Sequence, residues 1–325
     1  MATLCAVMLA ENGLSVRLWS AFPGNAQEIA VARENKRFLP GCRLPDNVEV
    51  TADAAEALAG AELAIEAVPT QYIRWWWDKI KAHCPANLPI CSVAKGIENR
   101  TLLRPTQIVT EVLDAPGRRR RPVAALSGPC IAPEIARKLP ATVTVASDDA
   151  ALAQWIQQLF SRPYFRVYTN SDTVGTEMAG ATKNVIAIAA GILDGLAAGD
   201  NAKAALLTRG LVEITRLGVA MGARQETFWG LAGVGDLVTT CISPIGRNRS
   251  FGEAVGRGKA VKEVLAAMAP AVVEGVATTE SVIELSRRLG VEMPITQGVH
   301  AVLFAGRSPA SAIAELMSRP LKAES

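Results

Sequence analysis

The sequence predicts a doubly wound α/β domain followed by an all-helical domain. Three observations carry this. Short aliphatic runs alternate with helical patterns up to about residue 171, and from residue 172 long helical stretches follow one another with no returning strand. The 325 residues, at roughly 100 to 200 per domain, make two domains with room for sizeable cores. The domains are therefore expected at 1–171 and 172–325.

Taken in order, residues 1–10 read as a helix, and 14–19, 48–50, 63–68, 90–94, 123–126 and 142–145 as strands. A helix is expected over 70–84, with Thr70 as its N-cap and Ile73, Trp77 and Ile80 on one face. The run Arg118-Arg119-Arg120-Arg121 falls between a helix and a strand and reads as a solvated loop. Such alternation means a mostly parallel sheet covered on both faces, a Rossmann-type layout in which ligands bind at the carboxyl ends of the strands. The second domain reads as helices at 172–198, 201–221, 259–268, 274–289 and 309–317.

Composition removes several classes of function. With 34 basic against 31 acidic residues the net charge is only +3, too little for a nucleic-acid partner. No uncharged stretch reaches the roughly 18 residues of a membrane helix, and the first residues lack the basic start of a signal peptide, so membrane insertion is not expected and a cytoplasmic location is. Six cysteines show no C-x-x-C pair and read as reduced thiols. The two histidines, His83 and His300, supply neither a poly-histidine metal site nor a serine-type triad, so no metal is expected and acid–base work falls to lysine or carboxylate.

Several segments place polar residues and glycine where such a fold binds its ligands. In Ala94-Lys95-Gly96 a lysine ends a strand, where it can hold an anion or simply be solvated. Ser127-Gly128-Pro129-Cys130 follows another strand, and the next helix could offer backbone N–H groups to an anion. Lys183 and Asn184 interrupt an otherwise apolar helix, and desolvation would lower the lysine pKa toward neutrality. Asp236, in Gly233-Val234-Gly235-Asp236, could orient that lysine. Arg247 with Asn248 could clamp a phosphate. Each also reads, taken alone, as a turn or a solvated face.

Together with 34–41 (ENKRFLPG) and Val273-Glu274-Gly275, these motifs resemble the bacterial-type NAD(P)-dependent glycerol-3-phosphate dehydrogenases, in order and in spacing, over nearly the whole chain. The resemblance implies an oxidoreductase that interconverts dihydroxyacetone phosphate and sn-glycerol 3-phosphate with NAD or NADP, for glycerophospholipid synthesis; the apolar content of the second domain suggests a homodimer. It implies that Lys183 transfers the proton and that Asp236 belongs to the same catalytic site. The substrate positions it implies are Lys95, Gly128, Cys130, Lys183, Asn184, Asp236, Gly246, Arg247 and Asn248. The cofactor positions are Lys95, Ala132, Arg247, Val272 and Glu274.

Three departures stand beside the resemblance. Cys130 and Gly246 replace small hydroxyl residues, which weakens or removes two donors to the substrate. Ser20-Ala21-Phe22 carries no cation for an NADP 2′-phosphate. The chain also begins on the helix that should follow the first strand and its G-x-G-x-x-G, so the central strand and glycine-rich loop of the dinucleotide domain are expected upstream of Met1. Two rival readings follow. One is a non-catalytic relative that binds a phosphometabolite or a partner, the other a dehydrogenase of the ketopantoate or β-hydroxyacid type.

Overall fold

The computed structural model describes residues 1–114, 120–321 and 323. It divides into two compact units, one of Met1–Ala94 with Arg104–Thr176, the other of Lys95–Leu103 with Glu177–Ser325.

The first unit runs α1 (Ala2–Glu11), β1 (Val16–Trp19), α2 (Pro23–Ala32), β2 (Val48–Thr51), α3 (Ala54–Leu58), β3 (Ala64–Glu66), α4 (Thr70–Ile80), β4 (Ile90–Ser92), α5 (Pro105–Leu113), β5 (Val123–Ser127), α6 (Ala132–Ala136), β6 (Ala141–Ala146), α7 (Ala150–Phe160) and β7 (Phe165–Asn170). Every predicted strand is present. The sequence reading omits β7, whose buried Phe165 and Val167 alternate with exposed Arg166 and Tyr168, a period of two that its polar residues disguise. Thr70 is the first helical residue of α4 and Pro69 its N-cap, so the capping role given to Thr70 is corrected: its hydroxyl is buried without a hydrogen-bond partner among the described residues. Ile73 and Trp77 are buried on the expected face.

The strands form two sheets, β1–β2 and β3–β4–β5–β6–β7. All pairs are parallel except β5 with β6. Helix α1 is buried from Thr3 to Ala10 and packs with Leu18, Val143, Ile156 and Phe160 in one apolar cluster. Such all-round burial explains why α1 shows no polar stripe.

The arginine run divides. Arg118 and Arg119 lie outside the described residues. Arg121 is no solvated residue: it is buried at 4% exposure, with its Nε 2.7 Å from Asp114 Oδ1 and an Nη–H directed at the Cys84 sulfur. Desolvation of the guanidinium is offset by this charge-assisted pair.

The second unit holds α8 (Thr173–Gly195), from Glu177 onward, then α9 (Asp200–Ala220), α10 (Gln225–Trp229), α11 (Asp236–Ile242), α12 (Arg247–Gly256), α13 (Val261–Met268), α14 (Glu274–Leu289), α15 (Pro294–Phe304) and α16 (Pro309–Met317). Helices α10, α11, α12 and α15 go beyond the sequence reading. In α12 the buried positions Asn248, Phe251, Gly252 and Val255 keep helical spacing, but an asparagine and a glycine stand where a large apolar residue would have marked the face. Among the described residues no helix is long and apolar enough to cross a membrane.

An apolar hollow of about 60 Å³ lies among α8, α9, α15 and α16, lined by Leu193, Leu206, Val302, Leu316 and Gly298. A methyl group added at Gly298 would meet Leu316 Cδ1 at 3.7 Å, an ordinary contact. Gly298→Ala is expected to stabilise the protein by about 1 kcal/mol, through helix propensity and filled space. Calorimetry checks this, and a melting temperature at or below that of the parent contradicts it.

Candidate active site

The second unit gathers nine of the predicted residues, Val272 among them. Lys183 and Asn184 lie on α8, inside a run buried from Thr176 to Leu193. Asp236 opens α11 directly after a one-turn π-helix, Leu231–Gly235, an irregularity found mostly at functional positions. Lys95 begins the segment Lys95–Leu103. Arg247 and Asn248 start α12, with Gly246 as N-cap, and Glu274 starts α14.

At the centre one carboxylate takes two ammonium groups. Asp236 Oδ1 accepts from Lys183 Nζ at 2.6 Å and Oδ2 from Lys95 Nζ at 2.6 Å. The side chains of Asp236, Lys183 and Lys95 are only 2%, 7% and 15% exposed. Burial pushes the Asp236 pKa up, but the two ammonium groups outweigh it and hold the carboxyl below its ordinary value. The cluster therefore carries a net positive charge in a buried place, which favours an anion or a developing alkoxide beside it.

Thr240, to which the sequence reading gave no role, belongs to the cluster. It stands one turn after Asp236, accepts from Lys183 Nζ and donates to Asp236 Oδ1 at 3.2 Å. The i, i+4 spacing of Asp236 and Thr240 was its only signal.

Asn184 and Asn248 form an amide relay. Asn184 Nδ2 donates to the Lys95 carbonyl at 3.1 Å, Asn248 Nδ2 donates to Asn184 Oδ1 at 3.0 Å, and the Gly275 N–H donates to Asn248 Oδ1 at 3.0 Å. Arg247 is exposed and donates through one Nη to the Val272 carbonyl at 3.0 Å. Its neighbour Arg249 turns the other way, onto Asp194 at 2.6 Å, and has a structural role.

The relay depends on close approach of α8 and α12. A Cβ on Gly252 would lie 2.1 Å from the Ile188 carbonyl oxygen, so the two backbones touch where any side chain would hold them apart.

Glu274 accepts from the Lys95 backbone N–H, yet burial raises its pKa to about 7 against the pull of Arg247, Lys95 and Lys183. Its Oε2 is buried with no hydrogen-bond partner among the described residues. The folded chain thus holds a proton there that the unfolded carboxyl, near 4.5, releases. The associated stability is complete below the unfolded value and is lost as pH rises through about 7. Glu274→Gln is expected to raise the melting temperature at pH ~8 and to leave it nearly unchanged at pH ~4.5. Equal shifts at both pH values would contradict this.

Gly128, Cys130 and Ala132 lie in the first unit. Gly128 follows β5 at φ 132° with Val143 Cα 3.0 Å from the place of a Cβ, which requires glycine. The expected anion cradle at α6 is reduced: Pro133 has no N–H, and the Glu134 and Ile135 N–H groups are bonded to the Ile131 carbonyl.

The family models and the relatives of high identity agree on one family. The N-terminal model of the NAD-dependent glycerol-3-phosphate dehydrogenases matches residues 2–153 and the C-terminal model residues 172–314. A glycerol-3-phosphate dehydrogenase (NAD(P)+) of Citrifermentans bemidjiense is 47% identical over 322 residues, covering 99% of this chain and 95% of that protein. That of Streptomyces griseus is 46% identical over the same length and the same shares. A crystal structure of glycerol-3-phosphate dehydrogenase from Coxiella burnetii superposes with a TM-score of 0.92 at 36% identity, over 98% of this chain and 95% of that one.

Proposed function

We propose, from the premise that the chain belongs to the NAD-dependent glycerol-3-phosphate dehydrogenase family, that its Lys183–Asp236–Lys95 cluster carries the proton chemistry of the family's reaction. The protein is an NAD(P)-dependent oxidoreductase that interconverts dihydroxyacetone phosphate and sn-glycerol 3-phosphate. Its setting is glycerophospholipid synthesis, in the cytoplasm and as a homodimer. Exposed Val212, Val219, Ile242 and Ile245 on the helical unit support the dimer.

The observation that carries the mechanism is the bridging of Asp236 by two buried lysines. Lys183 Nζ gives its proton to the C2 oxygen on reduction and takes it back on oxidation. Asp236 fixes the direction of Nζ, and Thr240 holds it from a second side. When the lysine gives up its proton, Lys95 still balances the carboxylate, so the buried charge changes sign nowhere. Bound NAD(H) supplies or receives the hydride at C2. Glu274, whose buried Oε2 has no hydrogen-bond partner among the described residues, would help to hold that group, its protonated carboxyl able to donate to an acceptor on it. Lys95, Arg247, Ala132 and Val272 are the other residues assigned to the cofactor.

Gly128, Cys130, Asn184, Gly246, Arg247 and Asn248, with Lys95, are assigned to the substrate. Arg247 is suited to the phosphate, because it stands exposed at a helix start with one N–H anchored and four more in a planar fork. With cofactor saturating, Arg247→Ala is expected to raise KM for dihydroxyacetone phosphate about 10-fold or more, and KM for unphosphorylated dihydroxyacetone far less. Equal rises would place Arg247 elsewhere. The function itself is tested by loss of NADH absorbance with dihydroxyacetone phosphate against ketopantoate, and preference for ketopantoate would overturn it.

A further inference from the structure

Lys95 does not sit on one of the helices that carry the rest of its site. It opens a nine-residue strap, 95–103, whose flanking residues Ala94 and Arg104 belong to the other unit while the strap itself is counted with the helices. The strap has backbone conformations that its residues would not choose. Arg100 has φ 73° and Leu102 φ 62°, left-handed values that cost a non-glycine residue about 1 kcal/mol or more each. Outside contacts must therefore define its shape.

Those contacts come largely from α14. Near its start the helix bonds the Lys95 N–H through Glu274. Two turns on, the Ser281 hydroxyl, 1% exposed, donates to the Ile97 carbonyl at 2.9 Å and meets the Asn99 side-chain amide. Glu280 accepts from Asn99 Nδ2 at 3.1 Å. From the opposite side Asn184 donates to the Lys95 carbonyl. Within the strap, Glu98 and Leu103 pair N–H to carbonyl at 3.0 Å, which folds it back on itself and buries Ile97 and Leu102. Ile97 is the second residue after Lys95. A bond that fixes its carbonyl fixes the exit of the backbone from the lysine, and thus where Nζ can reach.

We propose that Ser281, with Asn99 as its partner, is a positioning residue of the dehydrogenase: it holds the strap against α14 so that Lys95 Nζ stays on Asp236 Oδ2. This rests on the placing of Lys95 in the active site. Among the described residues the Ser281 hydroxyl bonds to Ile97, Asn99 and Ala277, none of them assigned to the reaction, and so it acts through the strap. The geometry gives it a specific signature, because its effect on catalysis must pass through one side chain.

The test is a double-mutant cycle on the full chain with Ser281→Ala and Lys95→Ala. Ser281→Ala is expected to lower kcat/KM for dihydroxyacetone phosphate about 5- to 20-fold, and by less than about 2-fold when Lys95 is already alanine, since coupled neighbours are not additive. Asn99→Ala, which removes no buried group, should show a smaller loss with the same dependence on Lys95. Hydrogen exchange supplies a readout that needs no turnover: in Ser281→Ala the amides of 97–103 should exchange about 10-fold faster or more while those of α8 and α11 are unchanged. Equal losses in both backgrounds, or an unchanged exchange rate in the strap, would overturn the proposal. A Lys95→Ala variant with normal turnover would instead overturn the placing of Lys95, leaving the exchange result to decide what Ser281 does to the strap.

Discussion

Lys183→Ala is expected to lower kcat by at least about 10²-fold with the fold intact, the lower bound for loss of a general acid–base group. The reason it should fold is the second lysine. Breaking a buried ion pair usually strands a charge at a cost of about 3 to 5 kcal/mol. Here Asp236 keeps Lys95 at 2.6 Å and Thr240 at 3.2 Å, so the carboxylate is not left alone. The loss should appear in kcat rather than in KM, because the role proposed for Lys183 is on the oxygen whose charge changes in the transition state. NADH fluorescence on the same variant shows whether cofactor binding is retained. A folded variant with near-normal turnover would remove Lys183 from the mechanism.

Gly252→Ala is expected to be strongly damaging for the change of a single methyl group. The added Cβ would lie 2.1 Å from the Ile188 carbonyl oxygen and 2.9 Å from its carbon. Both are backbone atoms in the middle of a buried helix, so neither can rotate aside. Relief requires α12 to move away from α8, at a cost of about 3 kcal/mol or more. The same movement separates Asn248 from Asn184, 3.0 Å apart in the relay, one turn from the clash. Stability and kcat/KM should therefore fall together, as read by denaturant unfolding and steady-state turnover. A variant with an unchanged midpoint would show that the two helices are less closely packed than described.

The alternation of strands and helices, and the change to helices after residue 172, were legible because apolar periodicity is a local property. The same holds for α1, α8 and α14, whose apolar runs and approximate lengths are written in consecutive residues. Helix α12 was not legible: its buried face carries Asn248 and Gly252, residues selected by a neighbour rather than by a core. Arg121 was misread for a related reason. Within the run of arginines nothing local distinguishes it from the others, and only the return of the chain past Asp114 and Cys84 buries it.

At the site, Lys183, Asn184, Asp236 and Arg247 could be named from residue type, setting and resemblance. Their sequence does not say that Asp236 serves two lysines at once, that Asn184 and Asn248 are joined in one relay, or that Arg247 and Arg249 point to different tasks. Nor does it mark Thr240 or Ser281, whose hydroxyls are ordinary until a helix places them beside Nζ or the strap. The sequence by itself determined the fold class, the family and the kinds of groups available, because these depend on local pattern and residue identity. The tertiary structure alone decided which groups meet, since a buried charge or amide takes its role from partners 53, 64 or 141 residues away along the chain, and a hydrogen bond forms only within about 3 Å.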